Sequence, residues 1–192
     1  MSVRDGLLTI LTLGPAYGLQ LHAELTSRAP HRGPINVGQI YSTLDRLSGQ
    51  GLIAPSGLTS DGLPLHRLTA EGRAAVVQAR GVAAVHGLPE FTEMLDQVII
   101  EATVDPDASA AVVRGFRDWW RGDLIAVRKS LTGIGLRADA RLALIGRECQ
   151  GVAALAFLDV ASEALATGGT FRPLSAAKPK RGRPLTAARV GP

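Results

Sequence analysis

A chain of 192 residues with 46% apolar and 20% charged residues can bury one core, or a small domain with a helical extension, and is too apolar to be disordered. Aromatic residues make up only 4%, which favours closely packed helices over a large β-sandwich. The net charge of +4 is uneven: six bases and no acid follow from Arg172 onward, while residues 1–171 hold 15 bases and 17 acids, a net of −2. A basic tail on a near-neutral body points to a polyanionic partner, nucleic acid first.

Leu7, Leu8, Ile10, Leu11 and Leu13 predict a short apolar helix that Gly14-Pro15 stops. A second helix is expected over 17–28, with Leu19, His22 and Leu25 along one side, before a loop at Pro30, Gly33 and Pro34. Asn36 is a good N-cap for a third helix that ends near Gly51. In that helix Val37, Ile40, Tyr41, Leu44 and Leu47 form a stripe spaced for burial. Gln39, Ser42, Thr43 and Arg46 fall on the other side as a row of donors and acceptors suited to base edges in a major groove. Residues 52–54 and 65–68 read as two short strands around a turn rich in Gly, Ser and Asp, and Thr69 caps a helix over 70–80.

The second half reads as helical throughout. Phe91, Met94, Leu95, Val98 and Ile99 share one face of a helix over 90–103, which Asp105-Pro106-Asp107 breaks, with Asp107 as the next cap. The stripe of the following helix, to about 131, is Val113, Phe116, Trp120, Leu124, Val127 and Leu131. A last helix over 138–166 presents Leu142, Ile145, Cys149, Val152, Ala156 and Val160, at spacings of three and four that suit side-by-side packing. The expected fold class is mostly α: a winged helix-turn-helix domain over 1–86, a helical domain over 87–170 and a flexible basic tail over 171–192.

Residues 7–80 resemble the PadR family of transcriptional regulators. The resemblance rests on Leu11-Thr12-Leu13-Gly14-Pro15-Ala16-Tyr17-Gly18-Leu19-Gln20-Leu21, on Val37-Gly38-Gln39-Ile40-Tyr41-Ser42-Thr43-Leu44-Asp45-Arg46-Leu47, on Gly51-Leu52-Ile53, and on Leu68-Thr69-Ala70-Glu71-Gly72-Arg73. It implies a homodimer assembled through the helical domain, with two recognition helices roughly 34 Å apart on double-stranded DNA. It implies a repressor more than an activator, and a backbone contact from the Tyr41 hydroxyl. Two departures stand out: the wing is apolar at Leu63-Pro64-Leu65, with Arg67 its one strong base, and Ser42 replaces the family's proline after the helix-three tyrosine.

The candidate DNA-binding residues are therefore Tyr17, Gln39, Tyr41, Ser42, Thr43, Arg46 and Arg67, together with Lys180, Arg181 and Arg183 of the tail. The tail segment Arg181-Gly182-Arg183-Pro184 resembles an AT-hook, in which such a core lies in a narrow A·T-rich minor groove; the other reading is a basic tail that binds phosphates without preference. An effector pocket for a small aromatic molecule is conceivable near Phe116, Trp120 and Phe157, against the plainer reading of these rings as core. Cys149 is expected to be a small buried thiol, and His22 and His66 to be structural or surface residues.

No metal or cofactor is expected. The one cysteine excludes an internal disulfide and a cysteine-based metal site, and the four histidines show no metal-ligand spacing. Neither a Gly-rich phosphate loop nor a G-x-S-x-G elbow occurs, so no enzyme is expected. With no uninterrupted apolar run of about 18 residues, no membrane span is expected, nor is a signal peptide, and the location is expected to be cytoplasmic. The rival readings are a protein-interaction scaffold built on a degenerate winged domain and an architectural A·T-rich DNA binder driven by the tail.

Overall fold

A computed structural model describes residues 1–81, 90–168 and 170–177. Ser2 caps α1 (Val3–Ile10), its hydroxyl accepting from the Asp5 amide, so the helix begins before the apolar run that announces it. A 3-10 turn, Leu11–Leu13, follows and ends at Gly14, whose φ of 143° is open only to glycine. The reversal there brings Ala16 beside His66, and the two exchange backbone bonds of 3.0 and 2.9 Å.

In α2 (Gly18–Arg28) the buried residues are Gly18, Leu21, Glu24, Leu25 and Arg28, with Leu19 and His22 only half-buried. The expected stripe was thus out of phase, because two charged residues take positions that the apolar pattern could not claim. α3 (Val37–Gly49) opens at Asn36, whose side chain accepts from the Gly38 amide at 2.8 Å. The wing is longer than the sequence suggests: β1 (Ile53–Leu58) pairs antiparallel with β2 (Pro64–Leu68), Ile53 opposite Leu68, with an irregularity between Pro55 and Leu58. Its turn closes at Thr59, whose amide donates to the Leu63 carbonyl at 2.9 Å. The Thr69 hydroxyl accepts from the Gly72 amide at 3.0 Å and donates to the Gly51 carbonyl at 2.7 Å, tying the start of α4 (Ala70–Gly81) to the wing.

Three helices complete the chain: α5 (Phe91–Val104), α6 (Pro106–Leu131) and α7 (Ala138–Ala166). Asp105, not Asp107, caps α6 by accepting from the Ala108 amide at 3.1 Å, and Pro106 occupies the first turn, where its missing N–H is no loss. Two apolar clusters form. One joins α1 to α4 and the wing, including Leu7, Leu25, Ile40, Leu47, Ile53 and Val76. The other gathers Val113, Phe116 and Trp120 of α6 with Ala154 and Leu158 of α7.

α5 belongs to both clusters. Its Met94 and Val98 face α6 and α7, while Ile100 and Val104 enter the core of the winged domain. The single apolar face expected for this helix is therefore two faces, and α5 welds the halves together. Two buried ion-pair groups reinforce the weld. Glu101 accepts from the Arg80 guanidinium (2.8 Å to Nη2), and Asp96 is held by Arg32, by His31 at 2.7 Å and by the N-terminal ammonium at 3.8 Å.

Two expectations about α7 need correction. Gly151, Ala154 and Leu158 form its buried face, the small residues letting the helix approach Trp120 and Leu124. Leu142, Ile145, Cys149, Val152, Ala156 and Val160 are all exposed, so Cys149 is an accessible thiol rather than a buried one. By length and composition alone α7 also suffices to cross a membrane, because its charges are spread thinly between small apolar residues. Several of those charges are paired within the chain: Arg147 with Asp123, Glu148 with Arg128, and Asp159 with Arg117.

The chain does not come free at residue 171. Residues 170–177 cross back over the winged domain as an extended strap along α2 and α5, held by side chains and backbone, with Leu174 packed on the winged-domain core. The junction expected at 86/87 and the tail bases Lys180, Arg181 and Arg183 lie outside the described residues.

Candidate nucleic-acid interface

α3 packs through Ile40, Thr43, Leu44 and Leu47, and everything else on it faces outward. At 3.6 residues per turn these four positions centre one face, which puts Gly38, Ser42 and Asp45 at the middle of the opposite one, flanked by Tyr41, Gln39 and Arg46. The expected polar row is thus displaced by about one position. Thr43 is 2% exposed, with its hydroxyl donating to the Gln39 carbonyl at 2.7 Å and accepting from Arg46 Nη2 at 3.2 Å. It supports Arg46 from beneath instead of presenting itself at the surface.

Gln39, Ser42 and Arg46 are exposed. The Ser42 hydroxyl donates to the Gln39 carbonyl at 3.1 Å, and Arg46 Nε donates to the Ser42 carbonyl at 3.2 Å. These interactions are local, so Ser42 can swing outward at the cost of one exposed bond and Arg46 at the cost of two, the second to the Thr43 hydroxyl. Gln39, Arg46 and Gln50 also line a cleft of about 310 Å³ whose far wall is Ser2, Val3 and Arg4 of α1. The start of α1 beside α3 carried no sequence signal.

Tyr41 is 44% exposed, and its ring lies over the first turn of α2. A Cβ on Gly18 would sit 2.7 Å from Tyr41 Cε1, so only glycine permits this contact. Gly18 leaves the space that the Tyr41 ring fills, a role that the sequence did not single out; the Tyr17-Gly18 pair was its only signal. Tyr17 itself occupies the N-cap position of α2 and is half-buried. Arg67 is exposed on β2 opposite Ala54. The neighbouring His66 is half-buried, and burial pushes its imidazole below the ordinary value although Asp45 pulls the other way. The wing tip, Thr59-Ser60-Asp61-Gly62, is polar, while Leu58 beside it is exposed, and Gly57 and Gly62 turn at φ 86° and 76°.

The three rings expected to line an effector pocket meet at one apolar cluster, which Phe157 joins from its edge. Phe116 and Trp120 are buried in the α5–α7 core, where the Trp120 indole N–H has no hydrogen-bond partner among the described residues. Phe157 also lines an apolar pocket of about 320 Å³ between α5 and α7, with Val98, Ile99, Ala161 and Leu165. Among the described residues no group of three or more metal-ligating side chains occurs.

Helices α1 to α3, a two-stranded hairpin and α4, packed around one core with an exposed third helix, define a winged helix-turn-helix domain. Residues 7–78, less than half of the chain, match the transcriptional regulator PadR-like family. A helical region follows them. No curated protein matches the chain significantly. Similar solved structures include a PadR-like transcriptional regulator from Bacillus cereus, at 17% identity over 86% of this chain and 99% of that one, with a TM-score of 0.37. PadR of Bacillus subtilis in complex with operator DNA is similar at 14% identity over 84% and 98%, TM-score 0.40. The virulence activator AphA of Vibrio cholerae is similar at 16% over 86% and 97%, TM-score 0.37.

Proposed function

We propose that this chain is a cytoplasmic, sequence-specific DNA-binding transcriptional regulator that works as a homodimer and represses by occupying promoter DNA. The observation that carries the reading is the division of labour on α3: four residues are buried, and Gln39, Tyr41, Ser42 and Arg46 remain exposed, Arg46 being the one charge among them. An α-helix of this kind fits a major groove. There a glutamine amide pairs both ways with adenine, and an arginine fork pairs with guanine or with phosphate. Tyr41, Tyr17 and Arg67 fix the backbone register, and Lys180, Arg181 and Arg183 add contacts in an adjacent minor groove. Thr43, being buried, has a supporting role.

The homodimer reading rests on α7. Leu142, Ile145, Val152 and Val160 are exposed along one helix, and a stripe of this length calls for a partner surface. A second copy meets that need with the same stripe. The pocket against Phe157 is where a small apolar effector would act.

The test is binding of the full-length protein to its own upstream DNA and to a random duplex across a salt series. The expected result is a clear preference for the upstream DNA, with a steep salt dependence. Replacing Lys180, Arg181 and Arg183 by Ala should flatten that dependence by up to about 0.9 in log–log slope for each phosphate no longer neutralised, leaving the preference in place. In the bound fraction a bis-maleimide should join Cys149 to the second copy's equivalent residue. A preference that vanishes with the tail charges would favour an architectural binder. Negligible binding at low salt would favour a protein-docking module, for which the exposure of Leu58 at the end of β1 is the supporting observation.

A further inference from the structure

The strap is built to a degree that a passive linker does not require. Arg28, 1% exposed, donates through Nη2 to the carbonyls of Arg172 (2.8 Å) and Pro173 (3.2 Å), and through Nη1 to the Thr103 carbonyl (2.8 Å). Glu24 holds Arg28 in place through Nε at 2.9 Å, and its second oxygen accepts from the Ser175 amide at 2.6 Å. The Arg172 amide donates to the Thr103 carbonyl at 2.8 Å, and the amide of Gln20 donates to the Ser175 carbonyl at 2.9 Å. Burying an ion pair to grip main-chain groups carries a desolvation cost that packing alone would avoid. The question is what fixing this segment achieves.

Its direction supplies the answer. Arg172 touches Ser27 and Arg28 at the C-terminal end of α2, Ser175 touches Glu24 and then Gln20, and Leu174 lies against Gly14. The strap therefore runs antiparallel to α2, away from the helical domain and toward the first turn of α2, where Gly18 lies under the Tyr41 ring. The basic segment beginning at Lys178 follows directly. Lys180 stands about five residues after Ser175, a reach of at most roughly 17 Å when extended.

We infer that Arg28, Glu24 and Gln20 are positioning residues that anchor the chain at 172–175 and set its course toward the first turn of α2, so that the basic tail engages the DNA flanking the α3 site at one fixed distance. The inference rests on the DNA-binding reading and adds a device to it: two readers on one chain, with the second held at high local concentration. Loop-closure statistics set the expected size. Freed from its anchor, the tail would be tethered from the end of α7, about 14 residues before Lys180 instead of about five, and its effective concentration would fall about fivefold.

The experiment uses the full-length protein on its preferred duplex, with hydroxyl-radical footprinting of the minor groove and affinity at one salt concentration. In the variant Arg172→Gly, Pro173→Gly and Leu174→Gly the length and the tail bases from Lys178 onward are kept, and faster hydrogen exchange at the amides of residues 172 and 175 reports release of the strap. The expected result is an unchanged footprint over the α3 site, loss or spreading of the flanking protection, and affinity down about fivefold. A second variant leaves the strap docked and inserts six Gly/Ser residues between Ala177 and Lys178. It should blur the flanking protection and weaken binding about threefold. Flanking protection and affinity equal to wild type in both variants would overturn the inference. So would an unchanged footprint when Lys180, Arg181 and Arg183 are replaced by Ala, since there would then be no tail contact to position. Loss of the α3 footprint in the wild type would instead remove the DNA-binding reading itself.

Discussion

Replacing Gly72 by Ala is expected to destabilise the chain by about 3 kcal/mol or more, at the upper end of what overpacking costs, and to lower its melting temperature by roughly 6–12 °C. A Cβ at this position would lie 2.0 Å from the Leu52 carbonyl oxygen and 3.1 Å from Leu68 Cδ2. The neighbour is backbone, so it cannot rotate away. The same carbonyl accepts from the Thr69 amide at 3.1 Å and from the Thr69 hydroxyl at 3.2 Å, so moving it loosens the cap of α4 and the root of the wing together. Thermal and urea unfolding of the variant checks this. A loss below about 1 kcal/mol would mean that α4 and the hairpin root are less closely packed than the structure has them.

Arg80→Ala should cost about 3–5 kcal/mol, the range for breaking a buried ion pair by removing one member. Its partner Glu101 is 1% exposed, where burial pushes the carboxyl above the usual range and Arg80 opposes that push. Among the described residues the only other hydrogen bond to this carboxyl is a weak one from Thr9 at 3.4 Å, so Arg80 is the group that holds the carboxylate there. The pH dependence of the variant follows from that direction. A carboxyl whose folded-state pKa lies above its unfolded one favours folding most at pH below the unfolded value. That contribution is lost as pH rises through the folded one. Arg80→Ala should therefore be closest to wild type in mild acid and furthest from it near neutrality, and adding Glu101→Gln should recover much of the loss near neutrality. A deficit that does not change with pH would show that the Glu101 charge is not its source.

Much of the winged domain was legible because its signals are local. Asn36 and Thr69 are capping residues in the right places, and Gly14, Gly51 and Gly72 stand where the backbone must turn or approach closely. Helix existence was also readable, since the spacing of apolar residues reports a period. What the spacing reports poorly is phase. In α7 nearly every position is small or apolar, so the stripe from Leu142 to Val160 was as good a candidate for burial as the one through Gly151, Ala154 and Leu158. The choice was made by the fit of small residues against Trp120 and Leu124. In α2 the buried face includes Arg28 and Glu24, and their partners lie far along the chain at Thr103, Arg172 and Ser175.

Thr43 shows the same limit within the candidate site. It sits at the edge between the two faces of α3, and a residue that can bond its own helix is equally at home on either side. Gly18 was hidden for a different reason: its role is to be absent beneath Tyr41, and nothing in a single sequence distinguishes that glycine from a helix-initiating one. The strap carries no hydrophobic periodicity at all. Only contacts distant in sequence make residues 170–177 a strap.

The proposed function stands or falls on whether the exposed flank of α3 reads bases. The most direct measurement is the ratio of affinities for the preferred and random duplexes at one salt concentration, in the wild type and in a variant carrying Gln39→Ala and Ser42→Ala. Both positions are exposed and neither packs the core, so stability should be nearly unchanged. The ratio is expected to fall at least about tenfold, since base contacts worth roughly 1–3 kcal/mol each are removed, while random-duplex affinity stays within about twofold. An unchanged ratio would contradict base reading by α3 and place sequence recognition elsewhere on the protein.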